Sequence, residues 1–150
     1  NYMGGLFVEK PLMLLIRDTY RLWANYMKGV AARAGVPDSY RMVLTFLLRN
    51  PGVSQKELAA HCGITTASVS QTVKEMGLTG YLKKEADDKD LRYVRLYLTE
   101  KGEACAKEIR EAIHQADARV SAQLTWEKEK HMRELLDELA RIIETELPLC

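Results

Sequence analysis

The stretch SQKELAAHCGITTASVSQTVKEMGLTG, residues 54–80, decides the fold. Ser54-Gln55-Lys56-Glu57 has the form of a capping box. The Ser54 hydroxyl can accept the amide of Glu57 while the Glu57 carboxylate reaches back to the amide of Ser54, so two orphan donors of a helix start are satisfied together. The spacing predicts a short helix closed by Gly63. Ile64 and Thr65 then lead into a second helix, with Thr65 as its cap, that runs to a glycine stop at Gly80. Two short helices joined by three or four residues with a glycine make a helix-turn-helix.

Downstream, Tyr81–Lys84 and Tyr93–Leu98 read as short strands. The second alternates Val94, Leu96 and Leu98 with Tyr93, Arg95 and Tyr97. Between them lies the charged loop Asp87-Asp88-Lys89-Asp90-Leu91, and a hairpin placed directly after a helix-turn-helix is a wing. From Lys101 the helical period returns, with Ile109, Ile113, Ala116 and Val120 on one face. A restart at Thr125 then carries Met132, Leu135, Leu136, Leu139, Ile142 and Ile143, and Pro148 ends it. One helix over a small core cannot bury so many apolar residues, so the excess predicts an oligomer interface.

Upstream, Leu12, Leu15, Ile16, Trp23, Tyr26, Met27 and Val30 give a helix over about Pro11–Ala34, stopped by Gly35-Val36-Pro37. Asp38 and Ser39 are cap types for a further helix carrying Tyr40, Val43, Leu44 and Leu47, ended by Asn50-Pro51-Gly52. The expected fold class is mainly α with a small β-hairpin wing. A winged helix-turn-helix at 37–100 is flanked by helical dimerisation segments at 1–36 and 101–150, in one compact domain overall.

Bulk properties narrow the function. The 150 residues, 47% hydrophobic and 29% charged, suit a single globular domain. No apolar run approaches the roughly 18 to 20 residues that span a bilayer, so the expectation is a cytoplasmic chain without a membrane partner. Residues 1–50 hold 7 Lys/Arg against 3 Asp/Glu, residues 51–99 hold 7 against 6, and residues 100–150 hold 8 against 12. The acidic last third is therefore a poor surface for nucleic acid. Cys62, Cys105 and Cys150 lack paired spacing and are expected to stay reduced; Cys62 reads as a small buried residue beside the Gly63 turn. His61, His114 and His131 form no ligand cluster, so neither metal nor cofactor is expected. Catalytic signatures such as GxSxG, GxGxxG, a P-loop or HExxH are absent, which argues against an enzyme.

The residues resemble the multiple antibiotic resistance regulator (MarR) family of bacterial transcription factors. The resemblance runs from Pro51-Gly52-Val53-Ser54-Gln55-Lys56-Glu57-Leu58-Ala59 through Ile64-Thr65, Ala67-Ser68-Val69-Ser70 and Gly80-Tyr81-Leu82. It ends with Asp87 and Asp90-Leu91-Arg92 in a D-x-x-D-x-R spacing and Leu98-Thr99-Glu100-Lys101-Gly102. It implies a homodimer of interlocked terminal helices, with two wings straddling a pseudo-palindromic double-stranded operator. Gly77 departs from the pattern, standing where the family usually has a better helix former.

On a 3.6-residue wheel Val69, Val73 and Met76 share one face, and Ala67, Ser68, Ser70, Gln71 and Lys74 share the other. In the major groove Gln71 can pair bidentately with adenine, Ser68 and Ser70 can bond base edges or phosphates, Ala67 can meet a thymine methyl, and Lys74 suits a phosphate. Ser54, Gln55 and Thr66, at the starts of the two helices, complete the expected contacts there. The resemblance implies that Arg92 enters the minor groove, where a narrow A·T tract concentrates negative potential. Lys89 at the tip is expected on phosphate. Asp90 either holds the Arg92 fork or stabilises the hairpin alone. A small-molecule effector is a further expected partner: Arg17, Tyr20, Trp23, Tyr26 and Met27 either line a pocket for an aromatic acid or pack as core. The alternative to an operator-binding regulator is a winged-helix interaction or structural dimer module without operator specificity.

Overall fold

The computed structural model describes residues 9–87 and 93–147. Its elements are α1 (Leu12–Arg33), α2 (Asp38–Arg49), α3 (Gln55–Cys62), α4 (Thr66–Leu78), β1 (Leu82–Ala86), β2 (Val94–Leu98), α5 (Glu100–Ser121) and α6 (Trp126–Glu146). The chain forms two compact units, 1–111 and 112–150, with the boundary falling inside α5.

In the first unit the apolar period of α2, α3 and α4 is buried as the sequence demands, whereas in α1 only Met27, Val30 and Ala31 are buried. Leu44 and Leu47 of α2, Leu58 of α3, Val69, Val73 and Met76 of α4, Leu96 of β2 and Ile109 of α5 are all less than 2% exposed. β1 and β2 pair antiparallel, from Leu82 opposite Leu98 to Ala86 opposite Val94. Of the three residues expected on the buried face of β2, Leu96 is buried, Leu98 is half-buried and Val94 is 41% exposed, so the hairpin projects beyond the core at its loop end.

Two local details differ from the sequence reading. Pro37, not Asp38 or Ser39, occupies the N-cap of α2, and no side chain caps the helix. The ring fixes the Pro37 φ at −61°, which leaves Asp38 in the first turn, where its carboxylate favours the helix dipole and accepts from Arg41 Nε at 2.6 Å. The turn before α3 also joins the sheet. The Gly52 amide donates to the Leu96 carbonyl at 2.8 Å and the Leu96 amide donates to the Val53 carbonyl at 2.9 Å, so β2 is flanked on both edges.

The start of α5 is fastened to the end of α4. Thr99 Oγ1 accepts the Gly102 amide at 3.1 Å in the manner of an N-cap and donates to the Gly80 carbonyl at 2.6 Å. The Thr99 amide donates to the Tyr81 carbonyl at 3.1 Å, and Lys101 Nζ donates to the Thr79 carbonyl at 2.9 Å while lying over the Tyr81 ring. A Cβ on Gly102 would stand 2.0 Å from the Tyr81 carbonyl oxygen, so only glycine permits this approach.

In the second unit α6 starts at Thr125, whose hydroxyl accepts the Lys128 amide at 3.3 Å. No residue of α6 is buried, and Met132, Leu135, Leu136 and Ile142 are each about half exposed. Such an apolar stripe left on a surface marks an interaction face.

Candidate nucleic-acid interface

The helix-turn-helix is built by its caps. Ser54 Oγ accepts the Glu57 amide at 3.2 Å and Glu57 Oε2 accepts the Ser54 amide at 2.7 Å, completing the capping box. The Ser54 backbone and side-chain hydrogen bonds hold the Glu57 carboxyl below its usual range. Replacing Ser54 by alanine is expected to lower stability by about 1 kcal/mol, read from a denaturant midpoint at unchanged slope. No loss would mean that the cap carries none of the α3 entry geometry. Gly63 ends α3 in the left-handed conformation, φ 62°. Thr65 Oγ1 then accepts the Ser68 amide at 3.2 Å to start α4.

These two starts fix the roll of α4. Val69, Val73 and Met76 are fully buried, while Ala67, Ser68, Ser70, Gln71 and Lys74 are exposed on the opposite side, and Thr66 is exposed in the first turn. Ser54 and Gln55 are half-buried at the start of α3. The hydroxyls of Thr65 and Ser68 lie 3.0 Å apart, so Ser68 also serves the cap. Gln71 Nε2 donates to Glu75 Oε1 at 2.6 Å. The Gln71 amide nitrogen carries a second hydrogen that this bond leaves available.

Lys89, Asp90 and Arg92 lie outside the described residues. At the base of their loop the Asp87 amide donates to the Tyr93 carbonyl at 2.9 Å. Arg95, which the sequence reading assigned only to a strand face, donates from Nε to Asp87 Oδ2 at 2.5 Å and from Nη1 to the Gly52 carbonyl at 2.9 Å. In the hairpin register Asp87 continues opposite Tyr93, so Arg95 is its diagonal neighbour; a known register is the signal that reveals the pair. An open cleft beside it is lined by Ser54, Lys56, Glu57 and Ala60 of α3 and by Tyr93, Val94 and Arg95 of the hairpin.

The five residues considered for an effector pocket separate. Trp23 and Tyr26 stack with ring centroids 5.7 Å apart, and the Arg33 guanidinium lies 5.6 Å from the Tyr26 ring centre. Met27 is buried, whereas Tyr20 is 68% exposed. Arg17 is paired with Asp18 at 2.8 Å, and hydrogen bonds from Lys10 and Arg17 hold the Asp18 carboxyl at about 2.

Burial pushes the Cys62 thiol up, the opposite of what a reactive thiolate requires. His61 stacks on Phe46 with ring centres 4.0 Å apart. Among the described residues no group of His, Cys, Asp and Glu is placed to hold a metal, and no helix is long and apolar enough to cross a membrane.

Comparison with known proteins agrees with this geometry. Residues 34–92 match the model of the MarR family. The HTH-type transcriptional repressor Rv2887 of Mycobacterium tuberculosis (strain ATCC 25618 / H37Rv) is 29% identical over 138 residues, 90% of this chain and 97% of the relative. The crystal structure of the Mycobacterium tuberculosis MarR family protein Rv2887 in complex with salicylic acid is similar at a TM-score of 0.68 and 25% identity, over 89% of this chain and 99% of that one. The crystal structure of an S. aureus MepR–DNA complex is similar at a TM-score of 0.79 over 90% of this chain and 99% of that one; at 16% identity the likeness speaks to fold. These relatives are named as regulators of transcription or as DNA complexes, not as enzymes.

Proposed function

Because the chain belongs, through residues 34–92, to the MarR family of transcriptional regulators, we propose that it is a repressor that binds a pseudo-palindromic operator as a homodimer. In this reading α4 enters the major groove and the loop containing Arg92 enters the minor groove, as the protein works on DNA in the cytoplasm. The observation that carries the reading is the division of α4. Its apolar trio Val69, Val73 and Met76 is sealed in the core, and Ala67, Ser68, Ser70, Gln71 and Lys74 face out together at the spacing a groove requires.

Residues 51–99 carry a net charge of only +1, so affinity comes from a few placed cations and from amides at helix starts more than from a broad positive field. Lys74 and Lys89 serve phosphates, Arg92 the minor groove, and Ser54, Gln55, Thr66, Ser68, Ser70 and Gln71 the groove walls and base edges. Asp90 orients the Arg92 fork. The exposed apolar stripe of α6 and the exposed Leu12, Met13, Leu15 and Leu22 of α1 supply the surfaces that a second copy covers.

The relative solved with salicylic acid motivates a small aromatic acid as effector. The stacked Trp23–Tyr26 pair, with Arg33 over Tyr26, offers an aromatic surface and a cation for such a ligand.

Arg92→Ala is expected to weaken operator binding by roughly 1 to 3 kcal/mol while leaving oligomeric state and fold intact. Titration of a selected duplex at fixed salt measures it. An affinity equal to that of the unsubstituted chain removes the wing from the mechanism.

A further inference from the structure

The hairpin of a wing is a weak element on its own: β1 and β2 have five residues each, and two-stranded ribbons of that size are marginal in water. Something must fix the angle at which its loop leaves the body. The Asp87 amide and the Tyr93 carbonyl close the loop base but tie the hairpin only to itself. Backbone bonds of Leu96 to Gly52 and Val53 tie the middle of β2 to the turn before α3, and Arg95 is the side chain that carries this tie out to the loop base. One edge of its guanidinium, Nε and Nη2, meets Asp87 Oδ2 at 2.5 Å, and Nη1 meets the Gly52 carbonyl at 2.9 Å, in the turn that leads into α3. The Asp87 side chain is only 12% exposed, so the pair is partly screened from water.

Gly52 is shaped for this role. Its φ is +83°, and a Cβ there would stand 2.9 Å from the Tyr97 hydroxyl, so no larger residue presents its carbonyl in the same way. Glu57 of the capping box also faces Arg95: the guanidinium helps hold the Glu57 carboxyl low, and Asp87 in turn raises the Arg95 guanidinium. One planar fork therefore joins the first residue of the wing loop to the turn before α3.

We propose that Arg95 is a positioning residue for DNA binding, whose bonds to Asp87 and the Gly52 carbonyl lock the base of the wing to the helix-turn-helix so that both meet the duplex as one body. The proposal rests on the operator-binding reading above. It differs from a direct phosphate contact, for which Asp87 would be a liability, because a carboxylate near DNA repels phosphate. As a lock, Asp87 is required. Lysine cannot substitute for Arg95, since a single ammonium on a flexible stem does not span two acceptors set by a planar fork.

The test compares the full chain with Asp87→Asn, Arg95→Lys, Arg95→Gln and the Asp87→Asn/Arg95→Gln double variant, on a selected operator duplex and on random duplex of equal length. The expected result is a fivefold or greater loss of operator affinity for each single variant, Arg95→Lys included. The double variant should be no worse than the poorer single one, and the operator-to-random ratio should fall in every case. Tighter or unchanged operator binding by Asp87→Asn, or full rescue by Arg95→Lys, overturns the proposal in favour of a charge contact. Equal losses on operator and random duplex, with a lowered unfolding midpoint, overturn it in favour of plain hairpin stability. No preference for any duplex by the unsubstituted chain overturns the operator-binding reading itself, and this inference with it.

Discussion

Gly102→Ala is expected to destabilise the chain by about 3 kcal/mol, the upper range for forcing an extra methyl into a packed site. The added Cβ would lie 2.0 Å from the Tyr81 carbonyl oxygen and 2.9 Å from its carbon, and both are backbone atoms that no rotamer change can move. Retreat of α5 would break the bonds gathered at the same junction, from Thr99 to Gly80 and Tyr81 and from Lys101 to Thr79. A loss of that size is a large share of the roughly 5 to 15 kcal/mol that holds a domain folded. It should shift the denaturant midpoint strongly. Gly77→Ala is the control: nothing lies within 4 Å of its Cβ position, and alanine in a helix is favoured over glycine by up to about 1 kcal/mol. If both substitutions behave alike, close approach is not what Gly102 provides.

Leu136→Glu is expected to dissociate the proposed homodimer. Leu136 is 51% exposed within a single chain, amid Met132, Leu135 and Ile142. A buried interface anchor is worth roughly 2 kcal/mol or more, and a two-fold assembly presents the position twice, so the dimer constant should fall by about 10³-fold. Sedimentation across a concentration series reads this directly, with helix content by circular dichroism as the check on folding. Operator affinity should fall in parallel, because each half-site would then be bound alone. A Leu136→Glu chain that stays dimeric excludes this face from the interface.

Features written in neighbouring residues were legible before any coordinates. The capping box at Ser54 and Glu57, the cap at Thr65, the glycine stop at Gly63 and the helix restart at Thr125 depend on residues three or four apart. So does the split of α4 into Val69, Val73 and Met76 against its polar side. What was not legible depends on partners far along the chain. The sequence marked Leu98-Thr99-Glu100-Lys101-Gly102 as a pattern without its reason, because the reason is the Tyr81 carbonyl. Arg95 read as a strand residue, because its partners sit at 87 and 52 and the register that brings them together is a tertiary fact. Asp38 and Ser39 are the cap types by residue preference, whereas the fixed φ of Pro37 takes the position. The Gln71–Glu75 bond, by contrast, follows the i, i+4 rule and could have been read from spacing alone.

The central claim is tested most directly by measuring affinity for a duplex chosen by binding-site selection, at salt concentrations between 50 and 200 mM. With Lys74 and Lys89 on the backbone in each of two subunits, about four phosphates are neutralised, and affinity should fall roughly 10²-fold across that range. The selected site should show two half-sites about 34 Å apart, one turn of duplex. A flat salt response together with no enriched sequence would contradict the account and leave a winged-helix dimer that does not read DNA.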